Sequence, residues 1–159
     1  MDAVPAERLD LVPLQEDHAE EMAAVLADPA LHTYTGGAPA TPGELRARYR
    51  RLAAGSPEPG TGWHNWVIRL REDGRLAGYV QATVTGRTAE LAWVVGTPWQ
   101  GRSIATEAAR AAAVHLTAGP VDTLVAHIHP DHRASAGVAA AVGLTPTDQW
   151  YDGERRWQS

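Results

Sequence analysis

One segment limits the possible folds more than any other: an apolar strand from Thr88 to Val95, one tight turn, then an alanine-dense helix from Ser103 to Ala118. The strand needs a sheet on both edges, and the helix needs that sheet as a surface to cover. The flanking segments extend the pattern in both directions. Trp63 to Arg71 and Leu76 to Thr85 read as antiparallel strands joined at Asp73-Gly74, and a turn near Gly86 leads into Thr88. Downstream, Gly119-Pro120 closes the helix, and Val121 to His129 is a nearly continuous apolar run of the buried-strand sort. Asp131 to Val142 then predicts a helix ended by Gly143, followed by a hairpin of Thr147 to Tyr151 and Glu154 to Trp157.

The N-terminal third supplies a short strand, Leu9 to Leu14, and two helices. Ala19, Met22, Ala23 and Leu26 recur at helical spacing over Glu16 to Leu26, and Asp28-Pro29 stops that helix. His32 to Ala40 is loop-like. Thr41-Pro42-Gly43-Glu44 has a threonine cap, a proline at the first helical position and a glutamate three residues after the cap, so a helix runs from there to about Ala54. A Gly/Pro/Ser-rich loop spans 55–62. The predicted order is strand, two helices, three-strand meander, helix, strand, helix, hairpin: one mixed α/β domain over residues 1–159, with no internal repeat.

Composition narrows the function classes. With no cysteine among 159 residues, disulfides, thiolate metal sites and cysteine nucleophiles are excluded. No run approaches the roughly 20 apolar residues of a membrane span. The opening residues show neither a basic nor an apolar leader region, so a cytoplasmic protein is expected. A net charge of −5 argues against a nucleic-acid partner and suits a cationic or amine-bearing one.

The chemistry concentrates in Ala89 to Arg110. After Val95, the turn Gly96-Thr97-Pro98 and then Gln100-Gly101-Arg102-Ser103-Ile104-Ala105 open the long helix. Small residues at a strand-to-helix turn let backbone N–H groups approach an anion. The first four N–H groups of a helix have no helical partner, and its N-terminus carries about half a positive charge. Arg102 can add a charge-assisted contact. Neither a P-loop nor a dinucleotide fingerprint is present.

This run resembles the acetyl-CoA signature of GNAT N-acetyltransferases, Q/R-x-x-G-x-G/A, with Gln100 and Ala105 at its outer positions and Ser103 in place of the central glycine. It is most similar to the RimJ/RimL-like branch, whose W-x-G-x-G-x-A-x-E-A wording is met by Trp99, Gly101, Ala105, Glu107 and Ala108. About thirty residues on, His129-Pro130-Asp131-His132-Arg133-Ala134-Ser135, with Val142-Gly143-Leu144, resembles that family's P-x-N-x-x-S…G-F segment. The resemblance implies a GNAT-type fold: a mixed, mostly antiparallel sheet with a central splayed strand pair, flanked by about four helices. It implies acetyl-CoA (coenzyme A) as co-substrate, no metal, and transfer of an acetyl group to a primary amine of a small molecule or a peptide or protein N-terminus. The donor-binding residues it implies are Trp93, Val94, Val95, Gln100, Gly101, Arg102, Ser103, Ile104, Ala105, Thr106, His132 and Ser135. A backbone N–H of Val94 or Val95 is expected at the thioester oxygen.

For catalysis the resemblance points to Glu90 as the base and Ser135 at the departing thiolate. The tyrosine acid common in the family is replaced by Ala139-Ala140-Ala141. A strand glutamate is otherwise a solvent-facing or ion-paired residue, and a first-turn serine is otherwise a cap. Glu107 is expected to serve the helix dipole. His32 and Tyr34 lie where the family builds its acceptor pocket. His127 and His129 share a strand face and His132 follows one turn on, but no fourth ligand stands at metal spacing. The competing readings are a non-catalytic acyl-CoA-binding sensor and an acyltransferase with a bulkier donor. A monomer or homodimer, with neither nucleic acid nor membrane as partner, is expected.

Overall fold

The computed structural model describes residues 2–159. Eight strands form one sheet: β1 (Val4–Pro5), β2 (Leu9–Pro13), β3 (Thr61–Leu70), β4 (Leu76–Thr85), β5 (Thr88–Val95), β6 (Thr123–Ile128), β7 (Thr145–Tyr151) and β8 (Glu154–Gln158). They lie in the order β1-β2-β3-β4-β5-β6-β8-β7. Four α-helices accompany them: α1 (Ala19–Val25), α2 (Pro42–Ala53), α3 (Ile104–Thr117) and α4 (Arg133–Val142). The expected mixed α/β architecture with about four helices is what the chain adopts.

Every strand pair is antiparallel except β5 and β6, which α3 joins as a crossover. Two strands can run parallel only through such a connection. Only Thr88, Ala89 and Glu90 pair with β6, opposite Thr123, Leu124 and Val125. From Leu91 onward β5 continues along β4 alone, while β6 continues along β8 from Val125 to Ile128. The sheet is therefore split down its middle just beyond Glu90. On the other edge, β4 approaches β5 very closely: a Cβ built on Gly78 would stand 2.1 Å from the carbonyl oxygen of Val94. Any larger residue there would push β5 into the gap.

The period of two assigns the faces. Trp66 of β3 meets His115 of α3 edge-on, so the parity of Trp66, Val80 and Leu91, all buried, faces α3. Tyr79, Gln81 and Val94 face the other way, towards α1 and α2. Alanines at 108, 109, 112 and 139 are buried where α3 meets the sheet and α4, allowing close approach of their backbones.

Several boundaries shift for local reasons. Glu16–His18 is a 3₁₀ turn rather than the start of α1, with His18 Nδ1 accepting the Gln15 N–H at 3.0 Å. The β6 strand is shorter than the apolar run, because Asp122 and Thr123 both donate to the Arg87 carbonyl as the chain enters the sheet. Helix α4 begins at Arg133 rather than Asp131, whose N–H is taken by His129 Nδ1 at 3.0 Å. The short strand β1, unseen in the sequence, extends the sheet beside β2.

Candidate active site

Helix α3 starts without a side-chain cap. Its N-cap, Ser103, has φ 61° and ψ 21°, and Gly101 has φ 79°, so the turn holds two left-handed residues. A serine normally caps from extended backbone, where its oxygen meets the N–H two or three residues on. In the left-handed geometry Ser103 makes no such bond. The first intrahelical bond is Glu107 N–H to the Ser103 carbonyl, at 3.1 Å. The N–H groups of Ile104, Ala105 and Thr106 precede it and point out of the helix end. Beside them Gly101, Arg102 and Ser103 are exposed, and Arg102 has no carboxylate partner among the described residues. This helix end has the geometry and charge of an anion seat.

Strand β5, on one side of the split, ends at Val95, and the 96–103 turn leads from it to that helix start. Gly96 donates to the Ala77 carbonyl of β4, at 2.8 Å. By the alternation of an antiparallel ladder, Val94 also directs its N–H at β4, while Trp93 and Val95 direct theirs towards the vacated side. Of the two expected backbone donors only Val95 thus faces the gap, and Trp93 joins it. Val94 instead turns its side chain into a cavity beneath α1 and α2. The Val95 carbonyl, also on the gap side, accepts the Gln100 amide at 3.0 Å, so Gln100 fixes the end of β5. Ile104 is buried, while Ala105 and Thr106 are half-buried.

Glu90 sits at the last paired position of β5, with its carboxylate on Nδ1 of His127 of β6. The two side chains are 49% and 19% exposed, so the carboxylate reaches solvent while the imidazole is largely enclosed. Tyr151 lies beyond, its ring centroid 5.9 Å from that of His127. Glu154 belongs to the same group. Burial pushes its carboxyl above the usual range, the charges of Asp152 and Glu90 add to this, and those of His127 and His129 oppose it. His127 is the residue sequence reasoning missed here. Its spacing to His129 and His132 suggests only a metal ligand, and the pairing across β5 and β6 cannot be read from either strand alone.

Across the gap, His132 precedes α4 and its Nε2 lies 3.3 Å from Ser135 Oγ. Burial, then the charge of His129, holds the His132 imidazole below its ordinary value. Tyr34 stacks on His132 with ring centroids 4.6 Å apart, and its ring is 5.0 Å from that of His129. Tyr34, expected to touch an acceptor, is thus brought against two residues of the α4 start. His32 lines the cavity beside Val94. Glu107 does structural work: its two oxygens bind the backbone N–H and Nε of Arg8, each at 2.7 Å, and tie the N-terminal segment to α3.

Residues 8–145 match the family described as Acetyltransferase (GNAT) domain. Among solved structures, the acetyltransferase (GNAT family) from Bacillus anthracis is 18% identical, with TM-score 0.83 over 99% of this chain and 97% of that one. The acetyltransferase from Agrobacterium tumefaciens str. C58 is 25% identical, with TM-score 0.78 over 100% and 94%. A ribosomal L7/L12 α-N-protein acetyltransferase, RimL, in complex with coenzyme A is 16% identical, with TM-score 0.81 over 99% and 97%. No curated protein matches the chain by sequence. An uncapped helix start beside a split parallel pair, over this span of matching sequence, places the chain in the GNAT acetyltransferase family.

Proposed function

We propose that this chain is an acetyl-CoA-dependent N-acetyltransferase of the RimJ/RimL-like branch, transferring an acetyl group to a primary amine by direct attack in a ternary complex. The observation that carries the reading is the start of α3. Three N–H groups, two left-handed residues and Arg102, which has no carboxylate partner among the described residues, stand together at the helix start that follows β5. The likeness in fold to a coenzyme A-bound RimL supports the choice of donor and branch.

Acetyl-CoA, when bound, supplies an acetyl group activated as a thioester. Ile104, Ala105, Thr106 and Arg102 would hold its pyrophosphate, and the gap-facing edge of β5 would run beside its pantetheine arm. The N–H groups of Trp93 and Val95 are the donors available to the thioester oxygen as charge develops on it. Glu90 is the base in this reading. Its carboxylate takes the amine proton directly or through water, and His127 fixes its orientation on the gap side of β5. Ser135, held by His132, donates to the departing thiolate. The acceptor is a small molecule or a peptide N-terminus. No helix among the described residues is long and apolar enough to cross a membrane.

The test follows free-thiol release from acetyl-CoA against a panel of amines. Glu90→Gln is expected to lower kcat roughly 10²–10⁴-fold with little change in coenzyme A affinity, the range for loss of a positioned base. Ser135→Ala is expected to lower kcat by less. Binding of coenzyme A with no turnover on any amine would favour a non-catalytic sensor, and failure to bind coenzyme A would overturn the assignment.

A further inference from the structure

An enclosed space lies against the α1/α2 face of β5. A cavity of about 190 Å³ is bounded by Leu26, Leu31, Leu45 and Leu52, with Val94 forming its wall on β5. A dry cavity of roughly 150 Å³ suffices for a benzene ring, so this one takes an apolar side chain with a small polar group at its wall. The walls are not uniformly apolar. Tyr49 is 3% exposed and its hydroxyl is buried with no hydrogen-bond partner. Tyr79 and Gln81 of β4 and Arg48 of α2 line the same space. Arg48 is in no ion pair among the described residues. Its charge acts on both tyrosines, opposing the rise that burial imposes on each phenol.

A buried hydroxyl without a partner costs free energy unless something supplies an acceptor. A hydrocarbon tail would leave the Tyr49 hydroxyl unsatisfied, and a polycation would meet Arg48. A carboxylate would accept from both, since a guanidinium and a phenol are complementary donors to it. Outside the cavity the charge changes sign: Glu90 lies on the same face of β5 as Val94, and Glu154 of β8 belongs to the group around His127.

Resting on the acetyl-transfer reading above, we propose that the acceptor is a small apolar amine bearing a free carboxylate, the chemistry of a hydrophobic amino acid. Its side chain occupies the Leu26–Leu45–Leu52 cavity and Arg48 with Tyr49 reads its carboxylate. The amine then faces the gap beside Val94, on the face of the sheet that also carries Glu90.

The experiment compares leucine and phenylalanine with their methyl esters, with spermidine, with a short peptide and with octanoyl-CoA as donor, on the intact protein. Thiol release gives kcat and KM, and thermal shift in the presence of coenzyme A gives binding. The free acids are expected to exceed their esters about 10–100-fold in kcat/KM, chiefly through KM, as loss of a charge-assisted contact predicts. Arg48→Gln is expected to bring the acid-to-ester ratio close to one, and Tyr49→Phe to lower it by less while keeping the melting temperature. Equal use of acid and ester, or preference for spermidine or the peptide over both amino acids, would overturn the proposal. Octanoyl-CoA outperforming acetyl-CoA would assign the cavity to the acyl chain instead. Acetylation of any amine with no amino-acid preference overturns this inference alone. Absence of coenzyme A binding overturns the acetyltransferase reading with it, and coenzyme A binding without a further shift on adding either amino acid overturns this inference even if nothing turns over.

Discussion

Two helices in this chain begin in opposite ways. Helix α2 closes its own N-terminus. Thr41 has φ −68° and ψ 160°, its hydroxyl accepts the Glu44 N–H at 3.2 Å, and Glu44 accepts the Thr41 N–H at 3.0 Å. Proline 42 occupies the position where no N–H is needed. Helix α3 leaves its N-terminus open, with a serine turned left-handed and no side chain on its first amides. Both starts have an exposed polar residue able to cap, so residue type alone does not separate them. Backbone conformation does. A left-handed N-cap withholds its own side chain from the helix and leaves the donors to a ligand.

The sharpest way to break this contrast is to place a carboxylate at the open end. Aspartate tolerates left-handed backbone better than most residues, so Ser103→Asp should fold. A negative charge at a helix start stabilises by roughly 0.3–1 kcal/mol, so the free protein should melt no lower than the parent. The same charge set about 4 Å from a pyrophosphate costs several kcal/mol, taking ~4 kcal/mol per unit pair at intermediate dielectric. Coenzyme A affinity should therefore fall at least roughly 100-fold, as read by calorimetric titration. Parallel loss of melting temperature and affinity would mean that the turn, rather than the open donors, holds the ligand.

The closed end should respond in the reverse sense. Thr41→Ala removes a cap worth about 1 kcal/mol, and denaturant unfolding should show that loss with coenzyme A affinity unaltered. The capping pair also has a pH signature. The Thr41 backbone N–H, then its hydroxyl, holds the Glu44 carboxyl below its usual range. Its contribution is present above the unfolded-state pKa and disappears as pH falls through the folded one, in parent and Thr41→Ala alike, because the variant keeps the backbone N–H; their difference should shrink in acid only by the smaller share that the hydroxyl supplies.

The same contrast explains what could be read from the sequence. The α2 start was legible because its capping pattern is local: three residues at fixed offsets state both the conformation and the bonds. The order of strands and helices was legible from period and turn residues, and β4, β5 and the α3 crossover stand where they were expected. What needed the structure were relations between distant segments. Glu90 could be named, but its partner His127 stands 37 residues away on a strand that touches β5 over only three positions. The same holds for Tyr34, which is set on His132, and for Arg48 and Tyr49, which share a cavity with Tyr79 only once α2 packs against α1 and β3. Ser103 is the intermediate case. Its position in the motif pointed to a glycine-like backbone, and its φ of 61° is that backbone imposed on a residue with a Cβ.

That imposition has a measurable, smaller consequence. A non-glycine residue in left-handed backbone costs roughly 1–2 kcal/mol, whereas glycine adds unfolded-state entropy worth about 0.4–1 kcal/mol. The two oppose, and the steric relief is the larger. Ser103→Gly should therefore raise stability by about 0.5 kcal/mol in denaturant unfolding. It should also leave the first-turn amides of α3 as open as before, since the serine hydroxyl accepts from none of them. Coenzyme A affinity then separates two roles for the side chain. Unchanged affinity means that Ser103 serves only through its backbone, and the open start belongs to the turn geometry. A drop of several-fold in the more stable protein would mean that the hydroxyl itself donates to the phosphate, which would explain why a strained serine is kept where glycine fits better.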